Sequence, residues 1–223
     1  LGFLESCFGW PVVTTLSTVL FVLALVASVI DWWAVARARK IIEYFAKPSA
    51  AALFALAALA IDASNGGAQA WRVIALVFCI AGDVFLMLPR DAFVPGLASF
   101  AVAQILFTVS FGLEDPTTTR FVIGALVVVL GAVLLARRFV TAIVRAGDRS
   151  LVPAIVVYVS VISAMATSAI AGGAVVAIVG ALLFMASDSL IAEEKFVAAK
   201  SWHRLTIIVT YHLALAGLVL GLV

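Results

Sequence analysis

The sequence contains eight long stretches with almost no charged side chains. They are predicted to lie at 12–33, 48–63, 71–89, 93–113, 120–136, 151–171, 173–191 and 205–222. A helix needs about 20 residues to cross the hydrocarbon core of a bilayer, with a lower limit near 17. With 65% apolar residues and a mean hydropathy of +1.26, the chain has more apolar surface than a soluble core can bury. We therefore predict an all-α, polytopic membrane protein with eight transmembrane helices.

The sixth and seventh predicted helices come from one uncharged run, Ser150 to Ser187, which is too long for one crossing and breaks naturally at Gly172 and Gly173. We treat 1–223 as a single transmembrane domain. Basic clusters follow the first and fifth helices, and an acidic residue lies late in the third and the seventh. A weak internal duplication that relates 1–115 to 116–223 would produce this pattern.

The basic residues predict the orientation, because Lys and Arg are retained on the cytoplasmic side. With both termini outside, twelve of the 14 Lys and Arg residues lie in or beside the cytoplasmic connections, and only Arg72 and Arg120 lie outside. The first basic residue, Arg37, follows the first apolar run, so that run lacks the basic start of a cleavable signal and is predicted to be retained. We predict a multi-pass protein of a bacterial-type inner membrane.

Composition argues against a nucleic-acid partner and against a fold held together by disulfides. The formal net charge of +2 provides no basic field suited to nucleic acid, so no nucleic-acid partner is predicted. Cys7 and Cys79 do not make a disulfide framework. The oligomeric state is not determined by these features.

Two aspartates, Asp83 and Asp188, lie at predicted membrane depth. Each is seven residues before a basic residue, Arg90 or Lys195, so each lies about 10 Å along its helix from the cytoplasmic boundary. A charge at a helix centre costs at least roughly 2.5–3.5 kcal/mol unless it faces a cavity or a partner. A structural carboxyl bonded to a hydroxyl or amide is the alternative for either residue alone. Their matched depth, toward the cytoplasmic leaflet, favours a functional pair that meets if the third and seventh helices are neighbours.

Other polar side chains lie near the same layer. Tyr158, Tyr211 and His212 are at similar depth, Gln104 is nearer the middle of its helix, and Arg204 shares a helix face with Tyr211. The alternative for the tyrosines is packing with one hydrogen bond, and for Gln104 it is hydrogen bonding between helices.

Two further aspartates are interpreted by position. Asp31 is adjacent to Trp32 and Trp33 and is interpreted as an interfacial residue in an aromatic belt, because Trp side chains concentrate at that depth. Asp62 is interpreted as a residue of the outer end. Both interpretations assign the carboxyl a place in the membrane rather than a chemical role.

Neither a metal site nor a serine triad is predicted. His203 and His212 are nine residues apart, which places them on opposite faces of a helix, and no other histidine or cysteine pair exists to hold an ion. This argues against a zinc hydrolase of the ceramidase type. Ser187 and Ser189 flank Asp188, but the sequence places no histidine near them. No metal or other cofactor is therefore expected.

Four short segments form a combination that is more specific than any one of them. They are Gly82-Asp83-Val84-Phe85-Leu86, the segment from Gly180 through Phe184 to Ser187-Asp188 with Phe196 following, Lys47-Pro48, and Thr210-Tyr211. Together they resemble the YhhN-like integral membrane family, which includes the lysoplasmalogenases, and the resemblance covers nearly the whole chain. Two positions depart from the pattern: Gln104 stands where a histidine is expected, and His212-Leu213-Ala214-Leu215 stands where a second aromatic residue and a glutamine are usual.

The resemblance implies hydrolysis of the vinyl ether bond of a lysoplasmalogen to a fatty aldehyde and glycerophospho-ethanolamine or -choline. Protonation of the β-carbon gives an oxocarbenium ion, water captures it, and the hemiacetal collapses to aldehyde and alcohol. Of Asp83 and Asp188, one would hold the proton and the other would stay ionised to stabilise the cation and orient water, as paired carboxyls do in glycosidases.

The implied partner is a lysophospholipid in the membrane. Lys47, Lys195 or Arg204 could meet its phosphate, although ordinary retention of basic residues on the cytoplasmic side is the favoured explanation for them. Gln104, Tyr158, Tyr211 and His212 complete the expected substrate-binding set. The alternative function is a transporter that binds protons or cations at the buried aspartate pair.

Overall fold

A computed structural model describes residues 14–88 and 92–223 of the 223-residue chain. Within them, eight α-helices are long and apolar enough to cross a membrane. They are α1 (Thr15–Ala36), α2 (Lys40–Ala60), α3 (Gly66–Met87), α4 (Phe93–Gly112), α5 (Thr118–Ala146), α6 (Val152–Gly172), α7 (Val175–Phe196) and α8 (His203–Leu220). The predicted all-α class and the eight membrane-spanning helices are confirmed. Cys7 and Arg90 lie outside the described residues.

Two helices extend well beyond the apolar stretches that predict them. α2 begins at Lys40 rather than at 48, and α5 continues to Ala146 rather than ending at 136. An uncharged stretch marks only the part of a helix that must avoid charge, whereas Lys, Arg and Glu are good helix formers that extend it toward water. Lys47, which the sequence places in a connection, therefore lies inside α2.

Two glycines in the left-handed conformation end helices. Gly147 follows α5 with a φ of +84°, and Gly173 follows α6 with a φ of +85°. A residue with a β-carbon would be strained in this conformation, and glycine is common directly after a helix for that reason. The tight turn predicted between the sixth and seventh helices is thus confirmed.

Each helix packs against the next one along the chain, except that α4 and α5 are not packed along their lengths. The connections are short, so the helix directions alternate through the bundle. In addition, α8 packs against α1 and α2, and α4 packs against α6, while α5 lies at the edge against α6 and α7. The backbones of α7 and α8 touch at Gly180 and Gly217, since a Cβ on Gly180 would lie 2.8 Å from the Leu218 nitrogen. Small residues at a contact allow this close packing in membrane bundles.

The alternation places three of the described connections, 37–39, 147–151 and 197–202, at one end of the bundle. We call it the basic end, because it carries Arg37, Arg39, Arg149 and Lys200. The connections 61–65, 113–117 and 173–174 form the opposite end. The assignment of the basic end to the cytoplasm stays a prediction, as does the duplication of 1–115 and 116–223.

Candidate active site

Asp83 is completely buried near the end of α3 and contacts two other helices. Its Oδ1 lies 3.1 Å from Nζ of Lys47 on α2, and its Oδ2 accepts a hydrogen bond of 2.7 Å from the Tyr211 hydroxyl on α8. The Lys47 ammonium also lies 5.7 Å from the centre of the Tyr211 ring. A cation, a carboxylate and a phenol from three helices thus form one compact group.

Asp188, on α7, has a second and separate set of partners. The Tyr158 hydroxyl on α6 donates to Oδ2 of Asp188, and Gln104 on α4 donates from Nε2 to the same oxygen at 2.7 Å. The Gln104 amide also donates to the Tyr158 hydroxyl at 2.8 Å, which closes a triangle of hydrogen bonds. Within the described part of the chain, Oε1 of Gln104 has no hydrogen-bond partner. All three side chains are buried.

Asp83 and Asp188 belong to two separate hydrogen-bonded groups. From the sequence, Asp83 and Asp188 would meet directly if the third and seventh helices were neighbours. In the structure α3 and α7 are not packed along their lengths, so this condition is not fulfilled. The Tyr211 ring instead packs edge-on against Phe100 and Phe184, with centroids 5.9 and 5.8 Å away. Each carboxyl therefore has its own set of hydrogen-bond partners.

An apolar pocket and a charged cavity meet beside these groups. Asp188 and Tyr158 line the apolar pocket, whose other walls come mainly from Leu, Ile, Val and Phe side chains of α3 to α7. Lys47 lines the charged cavity, together with side chains near the basic end. Leu86 lines both spaces, as do Phe93 and Ile191. The two spaces are therefore adjacent, and together they are apolar on one side and charged on the other.

The charged cavity is lined at the basic end by ionic side chains. Arg204 donates from Nη2 to both carboxylate oxygens of Glu43, at 3.0 and 2.9 Å. The Lys195 ammonium lies 5.0 Å from the centre of the Phe93 ring, and both residues line the same cavity. Lys47, Lys195 and Arg204 thus line one cavity, together with the acidic side chains of Glu43 and Glu194.

His212 lies on the α1 side of the site. Its Nδ1 accepts a hydrogen bond of 3.0 Å from Nε1 of Trp32, which fixes the ring against α1. The ring is buried, and its Nε2 has no partner among the residues that the structure describes. His212 is therefore close to the Tyr211 ring, 5.5 Å between centroids, and its contacts anchor α8 to α1.

Asp31 is the residue of this region that sequence reasoning missed. Its side chain has no exposed surface and therefore faces the bundle, whereas neighbouring Trp33 is half exposed. The assignment of Asp31 to the depth of the membrane interface stays a prediction. The signal that could have identified it is a stripe of small and polar residues at helical spacing on α1, all of them buried: Ser17, Ala24, Ser28, Asp31 and Val35. That stripe faces the bundle, so Asp31 faces it too.

The two serines that flank Asp188 form hydrogen bonds to backbone carbonyl oxygens. The Ser187 hydroxyl donates to the Ile207 carbonyl oxygen at 3.0 Å, and Ser189 donates to the Met185 carbonyl oxygen at 2.7 Å. Both hydroxyls are thus engaged with the backbone. In residues 14–88 and 92–223, no group of three or more His, Cys, Asp or Glu side chains is arranged to hold a metal ion.

Comparison with known proteins assigns the family. The model of the YhhN family matches residues 42–222. The chain belongs to the YhhN family. The resemblance inferred from the four sequence segments is therefore confirmed.

A curated protein of the cow, Bos taurus, named Lysoplasmalogenase TMEM86A, is 32% identical over 152 residues. The aligned part is 63% of this chain and 60% of the bovine protein, so the chain spans less than two thirds of that relative. No solved structure matches the chain. Of the groups in the site, Lys47, Asp83, Asp188 and Tyr211 lie within the YhhN match, whereas Asp31 precedes it.

Proposed function

We propose that this YhhN-family protein hydrolyses the vinyl ether bond of lysoplasmalogens, with release of a fatty aldehyde and glycerophospho-ethanolamine or -choline. The observation that carries the proposal is the amphipathic pair of spaces that share Leu86, Phe93 and Ile191, with Asp188 on the apolar wall and Lys47 on the charged wall. The similarity to a curated lysoplasmalogenase supports the same chemistry.

A lipid with one chain and an anionic headgroup matches these two spaces. Its phosphate would lie among Lys47, Lys195 and Arg204, where charged groups replace the water of its hydration shell. Its chain would lie along the apolar pocket, where burial removes hydrocarbon from contact with polar groups. The linkage between headgroup and chain then falls near Leu86 and Phe93, next to the carboxyl groups. If the basic end is cytoplasmic, the substrate comes from the cytoplasmic leaflet.

The partners of the two carboxyls support different roles. Asp83 is ion-paired with Lys47, so it is suited to stay ionised and to stabilise a positive charge that develops on the ether carbon. Asp188 accepts both of its hydrogen bonds on Oδ2, which leaves Oδ1 to carry a proton toward the apolar pocket. We assign Asp188 as the acid that protonates the β-carbon of the vinyl ether. Water then adds to the oxocarbenium carbon, and the hemiacetal collapses.

Hydrolysis in deuterated water tests this proposal directly. Purified protein in phospholipid vesicles is mixed with a lysoplasmalogen, and the released aldehyde is analysed by mass spectrometry. Protonation of carbon by an acid in exchange with solvent places one deuterium on the carbon next to the aldehyde carbonyl. Matched lysolipids with a saturated ether or an ester in place of the vinyl ether serve as controls, and they should remain intact.

Two outcomes would contradict the proposal. If a folded protein releases no aldehyde, the proposed activity is wrong. If it cleaves only the ester control, the protein is a different lipid hydrolase.

A further measurement tests whether the mechanism needs a metal: turnover should be unchanged by a strong chelator. The transport alternative finds no support in the described helices, because the breaks that mark transport sites in helices are not found in α1 to α8.

A further inference from the structure

Asp31 brings a third carboxyl group into the candidate site. It is completely buried, and neither of its oxygens has a hydrogen-bond partner among the described side chains. α1 packs on α2, which carries Lys47, and on α8. The neighbouring Trp32 donates to His212 of α8 at 3.0 Å, so this part of α1 lies beside the part of α8 that carries Tyr211.

The charges around Asp31 do not balance. Arg204 and Glu43 neutralise each other through two hydrogen bonds, and both are partly exposed, with 47% and 19% of their side-chain surfaces accessible. The remaining buried groups are one ammonium, Lys47, and two carboxyls, Asp31 and Asp83. Only Asp83 has Lys47 within ion-pairing distance, at 3.1 Å. A buried carboxylate that lacks both a hydrogen bond and a counter-ion is costly and is neutralised by taking up a proton.

We infer that Asp31 holds a proton while Asp83 is paired with the Lys47 ammonium, so that the two carboxyls together carry one negative charge opposite one cation. Asp31 is thus a positioning residue that acts through Lys47 and Asp83. Asp31 lies on α1, before the first residue of the YhhN match.

Infrared spectroscopy counts such protons without any substrate. A protonated carboxyl group absorbs at a frequency separate from that of a carboxylate, and the band shifts in deuterated water. The wild-type protein should show the band at neutral pH. Asp31→Asn removes one carboxyl and leaves one cation with one anion, so that component of the band should be lost. Lys47→Met removes the cation and leaves two carboxyls without a counter-ion, so the band should grow.

Matched variants make the measurement specific. Asp31→Glu keeps a carboxyl and should keep the band. Asp62→Asn removes an exposed aspartate at the opposite end and should leave the spectrum unchanged. Monodisperse elution and cooperative thermal unfolding establish that each variant is folded. An Asp31→Asn spectrum identical to wild type would overturn the inference, and if that variant does not fold, an unchanged band in Lys47→Met would overturn it instead.

The consequence for catalysis rests on the proposed function. With vinyl ether hydrolysis followed as a function of pH, Asp31→Asn should lose one ionisation from the profile of kcat/KM, and Asp31→Glu should restore it. Identical profiles for wild type and Asp31→Asn would show that the proton of Asp31 is not linked to turnover. If no form of the protein hydrolyses a vinyl ether, the proposed function fails while the infrared measurement still decides the charge state of Asp31.

Discussion

In the described part of the bundle, the basic side chains of Arg72 and Lys47 lie largely inside the protein, and they differ in how their partners are arranged. At the opposite end, Arg72 of α3 has no exposed surface and is bonded on every side: to the Ser110 hydroxyl at 3.2 Å, to the Leu218 carbonyl oxygen at 3.2 Å and to Glu114 at 2.5 Å. Its guanidinium also lies 4.7 Å from the centre of the Phe111 ring. In the half nearer the basic end, Lys47 has 14% of its side-chain surface exposed and lines a cavity.

This difference is the one expected between an ion pair that stabilises the bundle and an ion pair in a functional site. Each nitrogen of Arg72 donates to a protein group, so this cluster ties α3, α4 and α8 together. Around Lys47, carboxyls exceed cations and Asp31 has no hydrogen bond among described residues. Such an unsatisfied buried group is expensive for folding, and it is retained where chemistry or binding needs it.

The strongest test of the comparison replaces the carboxyl groups of Asp83 and Asp188, in the half of the bundle nearer the basic end. Asp83→Asn and Asp188→Asn should each lower kcat for vinyl ether hydrolysis by at least about a hundredfold, because acid and base catalysis contributes roughly 10² to 10⁴. The double variant should be little worse than either single one, because groups that act as a unit are not additive. Expression and thermal unfolding should stay near wild type, since an amide can hydrogen-bond and carries no charge to bury. In Asp83→Asn, the carboxyl of Asp31 remains to balance the Lys47 ammonium. A folded Asn variant that keeps most of its activity would make that aspartate structural.

The opposite result is expected at Arg72. Arg72→Met leaves Glu114 without its counter-ion, and removal of one partner of a buried pair costs about 3 to 5 kcal/mol. Because 20% of the Glu114 side chain is exposed, we expect the lower end of this range. The measurement is thermal or denaturant unfolding in detergent, and activity per folded molecule should be unchanged.

A double variant sharpens this prediction. Arg72→Met combined with Glu114→Gln should be less destabilised than Arg72→Met alone, because no unpaired charge remains. If Arg72→Met is stable but loses activity, Arg72 belongs to the site and the distinction between the two cations fails.

A smaller effect is expected from the tyrosines that bond the carboxyls. Tyr211→Phe removes a hydrogen bond to Asp83, and Tyr158→Phe removes one to Asp188. Hydrogen bonds to charged groups contribute about 1.5 to 3 kcal/mol, which corresponds to roughly ten- to hundredfold in rate. Tyr44→Phe, at a half-exposed tyrosine, is the control and should retain wild-type kcat. Equal activity in all three variants would show that the phenols only pack.

The smallest effect is expected at an exposed ion pair. Arg138 donates to both oxygens of Glu193 at 2.8 and 2.6 Å, but its side chain is largely in contact with solvent, which screens the interaction. Arg138→Gln should therefore change neither the melting temperature nor kcat measurably. A clear loss of stability would mean that the position of α5 against α7 depends on this pair.

The sequence by itself determined the fold class, because apolar stretches long enough to cross a bilayer leave the backbone no alternative to helices. It also identified Asp83 and Asp188, since each is an expensive charge in an otherwise apolar helix. The four segments that resemble the YhhN family were enough to assign the family correctly. These features are local, so they can be read from residues that are neighbours along the chain.

Only the tertiary structure decided which side chains meet. It placed Lys47 inside α2 and paired it with Asp83, it gave Asp188 a separate set of partners in Gln104 and Tyr158, and it kept α3 and α7 apart. It also buried Asp31, whose tryptophan neighbours indicate an interface when the sequence is considered alone. The physical reason is that packing over the whole bundle sets which face of a helix contacts its neighbours. Contacts between helices that are distant in the chain leave only a weak periodic pattern in the sequence of each helix.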